Sequence, residues 1–227
     1  QDGQSRLFAD WGIRKHLLDD LYIRFFRLAE KRIGEVAEHG IVSFISNSSY
    51  LTGRSHPIMR ESLLRNFDDV WIDNLNGDKY RTGKLIPKGL PGEGTSDQSA
   101  FTMDHDPRGI QVGTCIGTFA KHRDRPRKRG VARVHYRDFW GRAAAKRQAL
   151  GESLSLDAWE GNRRNAAAAT SAGPRAYDSF GPTKENRWKL APRTDSAGYD
   201  EWPGIDELFA SSFQGVNPNR GLDGSLI

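Results

Sequence analysis

Apolar and polar positions alternate along the chain in two rhythms. Residues 14–40, "RKHLLDDLYIRFFRLAEKRIGEVAEHG", repeat apolar residues every three or four positions, the spacing of an amphipathic helix. Leu17, Leu18, Leu21, Phe25, Leu28 and Ala29 form its predicted apolar face, and Gly40 stands where a C-terminal cap belongs. "IVSFIS" follows, short, β-branched and aromatic, and reads as a strand covered on both faces. "SHPIMRESLLRNF" predicts a second helix, with Ser55 as cap, Pro57 in the first turn and Ile58, Leu63 and Leu64 facing inward. "DDVWIDNL" predicts a second strand. This alternation argues for α/β layering.

From Asn76 to Ser99 the chain becomes Gly/Pro-rich, as a long loop of functional kind does. "AFTM" and "GIQVGTCIGTFAK" read as strands either side of a "DHDPRG" turn, a hairpin that would close the sheet edge. "VARVHYRDFW" predicts a strand and "GRAAAKRQALGESL" a helix. Beyond Trp159 the pattern weakens. "GNRRNAAAATSAG" reads as a linker. Tyr177, Phe180, Trp188, Tyr199, Trp202, Phe209 and Phe213 punctuate the tail as aromatic anchors that pack onto a neighbouring domain.

Composition narrows this picture. The chain has 227 residues, 37% hydrophobic and 28% charged, enough for one large domain with a modest core. No apolar run approaches the roughly 18 residues of a membrane span. The polar start "QDGQSRLFADW" carries no signal-peptide pattern. Gln1 in place of Met fits a chain processed or cut from something longer. The single cysteine, Cys115, excludes an internal disulfide and a zinc site of several thiolates, and fits a reducing, cytoplasmic setting. It sits in an apolar run, as a core thiol does.

Charge is uneven. The net value is +5. Lys121–Arg137 carries eight Lys/Arg against one Asp, or +7, so the remainder is near −2 (5 minus 7). A local basic stretch is the footprint of a phosphate-binding surface; a solvated basic loop is the plainer account. Arg123, Arg125, Arg127, Lys128 and Arg129 are the candidate phosphate contacts.

Familiar catalytic patterns are missing. Neither G-x-G-x-x-G, G-x-x-x-x-G-K-[ST] nor G-x-S-x-G occurs, and "PGEGTS" has no helix pattern after it. Asp104, His105 and Asp106 are consecutive, so their side chains do not converge on one metal. Ser46, Asn47, Ser48 and Tyr50 follow a predicted strand, where open α/β sheets collect ligands. Short polar side chains there bond base edges or phosphates, or simply their own turn.

In order, "LYIRFFRLAEKRI", "GIVSFISNSSYL", "MRESLL", "FDDVWIDNLNGD", "GEGTSDQSAF", "GIQVGTCIGTFAK", "VHYRDFWG", "YDEWPGIDELF" and "GVNPNRG" resemble the second half of the catalytic domain of adenine-specific DNA methyltransferases. The nearest likeness is to the large single-chain restriction–modification enzymes of the type ISP and type IIG kind. The resemblance covers nearly the whole chain. It implies the C-terminal part of a doubly wound, Rossmann-like sheet with an antiparallel closing hairpin over residues 1–140. A partly irregular α+β extension, leading into target recognition, would follow over 141–227.

The family transfers a methyl group from S-adenosylmethionine to an adenine amino group, with the base flipped out of double-stranded DNA. Its cofactor turn and its Asn/Asp-Pro-Pro-Tyr/Phe loop have no counterpart here, and no Pro-Pro occurs. The chain alone is therefore expected not to bind S-adenosylmethionine, and an upstream half or partner chain is implied. Phe101 stands where related enzymes place an aromatic against the extruded base; it also reads as a core Phe. Asp97 and Gln98 share that loop and could meet DNA. The rival reading is a non-catalytic DNA-binding remnant or specificity module. An RNA-binding module would need an aromatic-rich sheet signature that is absent.

Overall fold

The computed structural model describes Trp11 and residues 20–123, 130–153 and 177–192. The chain divides into two units, Gln1–Pro192 and Arg193–Ile227; the second lies outside the described residues. In chain order the first unit contains α1 (Leu21–Ala29), a π-helical continuation (Glu30–Val36), β1 (Gly40–Asn47), α2 (Ser49–Thr52), α3 (Pro57–Asn66), β2 (Asp69–Asn76), α4 (Lys79–Thr82), β3 (Thr114–Lys121), β4 (Arg133–Asp138), α5 (Ala143–Glu152) and β5 (Asp178–Phe180).

The strands form one mixed sheet in the order β1-β3-β2-β4-β5. β3 runs antiparallel to both β1 and β2, β2 and β4 are parallel, and β5 returns antiparallel to β4. The antiparallel strand therefore lies inside the sheet and does not close its edge. "AFTM" is not a strand either. Residues 100–103 form a turn with a lone bridge from Met103 to Asp106. Their carbonyls are engaged elsewhere: Arg147 Nη1 donates to Ala100 O (2.7 Å) and Thr102 O (3.1 Å).

One face of the sheet carries Val42, Phe44, Phe119, Val70, Ile72 and Val134, packed with Phe26, Leu63, Leu64 and Phe67. Phe26 meets Phe44 at 5.0 Å and Phe119 at 5.7 Å between ring centroids. Gly117 is required inside β3, because a Cβ there would stand 2.4 Å from the Tyr50 hydroxyl. The opposite face is covered near Ile116 and Leu75 by Ala149 and Leu150 of α5, with Ala100 and Phe139.

α1 does not face inward as its periodicity predicts. Leu21, Phe25 and Leu28 are 68%, 58% and 54% exposed. The buried line is Phe26, Glu30 and Gly34. Glu30 explains this: its carboxylate accepts from Ser62 Oγ (2.5 Å), Asn66 Nδ2 (2.8 Å) and Arg27 Nη1 (2.8 Å). A buried carboxylate with three donors is tolerated where an unpaired one is not. Gly34 lets the two helices approach, since its Cβ would meet Asn66 Cβ at 2.9 Å. α3 begins at Pro57 as expected, but its N-cap residue is His56, not Ser55, with no side-chain cap bond.

The first unit extends well past residue 140. β5 pairs with β4. Trp188 and Leu190 are buried in the main core, with Phe180 packed against it. Arg60 fastens this segment from inside. Its guanidinium is fully buried and donates to Tyr50 O and Gly53 O (2.9 Å each) and to Arg187 O (2.7 and 3.2 Å). Burial, with Arg187 nearby, lowers it to about 10, so it stays charged at neutral pH. Tyr199, Trp202, Phe209 and Phe213 lie outside the described residues.

Candidate nucleic-acid interface

Strand directions define two ends of the sheet. β1, β2 and β4 finish at one end, at Asn47, Asn76 and Asp138, where β3 begins at Thr114. The loops following these strands form a polar rim there. The sequence-predicted residues divide between this rim and the opposite end.

At the rim, Ser46 and Asn47 are half-buried, and Asn47 Oδ1 accepts from the Ser49 amide (2.7 Å). Ser48 is buried, its amide donating to Gly113 O (2.8 Å). Tyr50 is fully buried beside Phe26, its hydroxyl 3.5 Å from Cys115 Sγ. Burial pushes the Cys115 thiol up to about 12, the condition of an inert core thiol.

Asp97 and Gln98 are drawn into a lock. Asp97 is completely buried and accepts from the amides of Gly77 (2.7 Å) and Gly141 (2.9 Å) and from Lys146 Nζ (2.6 Å). Lys146, equally enclosed, also donates to Leu75 O (2.6 Å) and Gln98 O (2.7 Å). Burial lowers the lysine and Asp97 opposes that shift. Gln98 Oε1 accepts from the Ala143 amide (3.0 Å) at the start of α5, filling one of the helix's open donors. Phe101 is half-buried against Leu75, Ala100 and Phe139. One ion pair and one helix start thus fix the loop that carries it.

A second network was not foreseen. Asp138 Oδ1 accepts from Asn74 Nδ2 (2.9 Å), Asn76 Nδ2 (2.9 Å) and Tyr136 Oη (2.8 Å). Burial, then the Asp138 charge, raises Tyr136. Asn76 has φ 50° beside a register shift in β2, a conformation asparagine tolerates better than most residues. The "NG" pair of "NLNGD" was the sequence signal for this turn; nothing in the local pattern marked Tyr136, Asp138 or Lys146.

Arg123 stands at the other end of the sheet, beyond β3. It is exposed, with its guanidinium against the His39 ring at 3.3 Å. Arg125, Arg127, Lys128 and Arg129 lie outside the described residues. Nearby, Asp69 accepts from or pairs with His135 Nε2 and His122 Nε2, each at 3.1 Å, while His135 Nδ1 meets Ser179 Oγ at 2.8 Å. Trp71 stacks on His135 at 5.1 Å. This ladder ties four strands together. β1 spans eight residues, so the rim and the basic end are roughly 25 Å apart at the usual strand rise.

Among the described residues, no group of three or more His, Cys, Asp or Glu could hold a metal ion. The glycines at this rim leave no open cradle for a ligand backbone or phosphate. Gly77 and Gly113, the glycines beside the strand ends, are already packed by the chain itself. A Cβ at Gly77 would meet Ser99 Cα at 2.7 Å, and one at Gly113 would meet Ser48 Oγ at 2.6 Å. Asp78 is occupied by the amides of Tyr80, Arg81 and Gly113. No helix among the described residues is long and apolar enough to cross a membrane.

No protein-family model matches the chain, and no curated protein matches it. Solved structures do. In the cryoEM structure of the DrdV–DNA complex, a segment matches with a TM-score of 0.52 at 20% identity, covering 87% of this chain and 16% of that one. In the ATP-dependent Type ISP restriction-modification enzyme LlaBIII bound to DNA, a segment matches with a TM-score of 0.53 at 22% identity, covering 84% of this chain and 11% of that one. The shared property is the fold, and the chain spans a small part of each of those proteins.

Proposed function

We propose that this chain is the C-terminal half of the catalytic domain of an adenine-specific DNA methyltransferase within a restriction–modification system. The rim forms one wall of the pocket for a flipped adenine. A companion segment carries S-adenosylmethionine and the residues that orient the transfer. The observation that carries the reading is the fold shared with a segment of LlaBIII, a restriction-modification enzyme bound to DNA, with a polar rim at the strand ends where such sheets take ligands. In this reading Phe101 stacks on the base, Asn47 and Ser46 bond its edge or a neighbouring phosphate, and the basic end at Arg123 contacts the backbone elsewhere on the duplex.

The test combines the full chain with the polypeptide encoded directly upstream of Gln1. N6-methyladenine is then measured on duplex DNA with S-adenosylmethionine. Transfer is expected only with both parts. Phe101→Ala is expected to weaken base engagement by about 1–3 kcal/mol, read as lost 2-aminopurine fluorescence on flipping. DNA binding that falls steeply with salt, with no transfer from the combined parts, would leave a non-catalytic DNA-binding module and reject the enzyme reading.

A further inference from the structure

The face of the sheet turned away from the main core holds a hydrogen-bonded chain that the polar rim does not use. Val70, Ile72, Val134 and Tyr136 are buried in that core, so the alternating Asp69, Trp71 and His135 stand on the opposite face. Ser179 is exposed and lies directly across from His135 in the β4–β5 pair. Its Oγ is 2.8 Å from His135 Nδ1, and His135 Nε2 is 3.1 Å from Asp69 Oδ1. An ionised carboxylate only accepts. With the imidazole neutral, Nε2 therefore carries the proton and Nδ1 accepts from the serine hydroxyl. Two further contacts hold this geometry. Trp71 stacks on the imidazole at 5.1 Å and 15°, and His122 Nε2 is 3.1 Å from the second oxygen of Asp69.

We infer that Ser179, His135 and Asp69 form a nucleophilic serine site that accepts acyl groups from small activated esters. A cross-strand contact needs only two residues; a third group that orients the base marks an activated nucleophile. Ser179 Oγ attacks the ester carbonyl and forms the new C–O bond, while its proton passes to His135 Nδ1. The alkoxide or phenolate of the ester leaves and takes that proton. Water then attacks the acyl carbon and gives a proton to Nδ1, which returns it to Oγ as the carboxylic acid departs. Asp69 stays ionised throughout and holds the imidazolium. β5 is the last strand in the sheet order and, among the described residues, pairs only with β4. Alternate amides of residues 178–180 therefore point away from β4, where they can donate to the developing oxyanion. The site is independent of the methyl-transfer reading. Asp69 begins β2 and His135 lies near the start of β4, toward the end of the sheet opposite the rim.

The test treats the full chain with p-nitrophenyl acetate and, separately, with a fluorophosphonate, and locates the modified residues by peptide mass spectrometry. Both reagents should modify Ser179 at least about tenfold faster than any other serine, with nitrophenolate released in a burst proportional to the amount of chain. His135→Asn keeps an acceptor near the hydroxyl but removes the base, and should slow modification of Ser179 by at least about tenfold. Asp69→Asn should slow it as well, by releasing the imidazole from the productive tautomer. Ser179→Ala, a substitution at an exposed position, should abolish the burst, and it decides the matter even where the other variants melt early. A burst that survives Ser179→Ala would overturn the inference. So would acetyl groups on His122 or on lysines with none on Ser179, or a Ser179 rate unchanged by His135→Asn in a folded chain. The three residues would then be a cross-strand contact and nothing more.

Discussion

The β4–α5 flank and the β1–α1 flank of this sheet solve opposite problems. On the first, a set of buried and half-buried polar groups satisfy one another. Asp97, Lys146, Gln98, Asn74, Asn76 and Asp138 bond one another or the backbone, and hold the loops after β2 and β4 in one arrangement. On the second, apolar side chains stand in solvent along an edge without charges. A saturated polar network rigidifies, and removing any member exposes the rest to an uncompensated cost. A bare apolar edge contributes little to the isolated fold and a great deal to whatever covers it. The locked flank carries Phe101 of the candidate site, while Ser46 and Asn47 end β1 on the other flank.

Substitutions should separate the flanks by size of effect. Lys146→Met leaves the Asp97 carboxylate buried without its cation. It should lower unfolding free energy by about 3–5 kcal/mol in denaturant titrations. Adding Asp97→Leu should restore part of that loss; an undiminished loss would mean the backbone amides at Gly77 and Gly141, rather than the ion pair, dominate the lock.

Arg60→Met comes next. It strands carbonyls of Tyr50, Gly53 and Arg187 and should cost about 2–3 kcal/mol. It should also open residues 181–192 to limited proteolysis. Cleavage unchanged from the parent would mean that Trp188 and Leu190 hold the segment without the guanidinium.

A smaller effect comes from pH. The folded Cys115 thiol is pushed from 9.0 up to about 12 by burial. Below pH 9 its contribution is fully present; above, the unfolded chain releases the proton first, and stability falls as pH rises toward about 12. Tyr50, Tyr136 and Tyr177, all raised, add to the fall above pH 10. Arg60, lowered to about 10 from 12.5, works in the opposite direction there. Between pH 9 and 10 the thiol alone accounts for a loss of about 1 kcal/mol, which Arg60 and Lys146, both lowered, oppose. Cys115→Ala should flatten that slope.

The smallest change in stability belongs to the open flank. Ile45→Lys should alter the unfolding free energy of the isolated chain by less than about 0.5 kcal/mol. A loss of several times that would mean Ile45 is covered within the chain.

Much of the element plan was legible locally. β1, β2, β3 and β4, the helix starting at Pro57 and the helix at Ala143 all overlap the stretches their patterns predicted, β1 and β2 running a residue past them, because period and turn residues act over a few positions. The inward face of α1 was not legible. Periodicity favoured Leu21, Phe25 and Leu28, but Glu30 finds two donors on α3 and a third in Arg27 of α1, and Gly34 permits the close approach. A buried glutamate can be read only once its partners, more than thirty residues away in two cases, are in place.

The candidate site divides in the same way. Sequence alone brought Ser46 and Asn47 to notice, since they close a predicted strand, and the family resemblance brought Phe101. Uniting Asp97 with Lys146, and separating Arg123 from the rim by the length of the sheet, depended on strand order and direction. β3 inserts antiparallel between β1 and β2, so its end delivers Arg123 to the opposite pole. The chain by itself determined where most of the longer helices and strands lie and where the charge resides, because these follow from neighbours in sequence. Only the tertiary structure decided which charges are buried, which faces are bare and which loops share a rim. Those outcomes depend on pairings between residues far apart along the chain, and local patterning does not encode them.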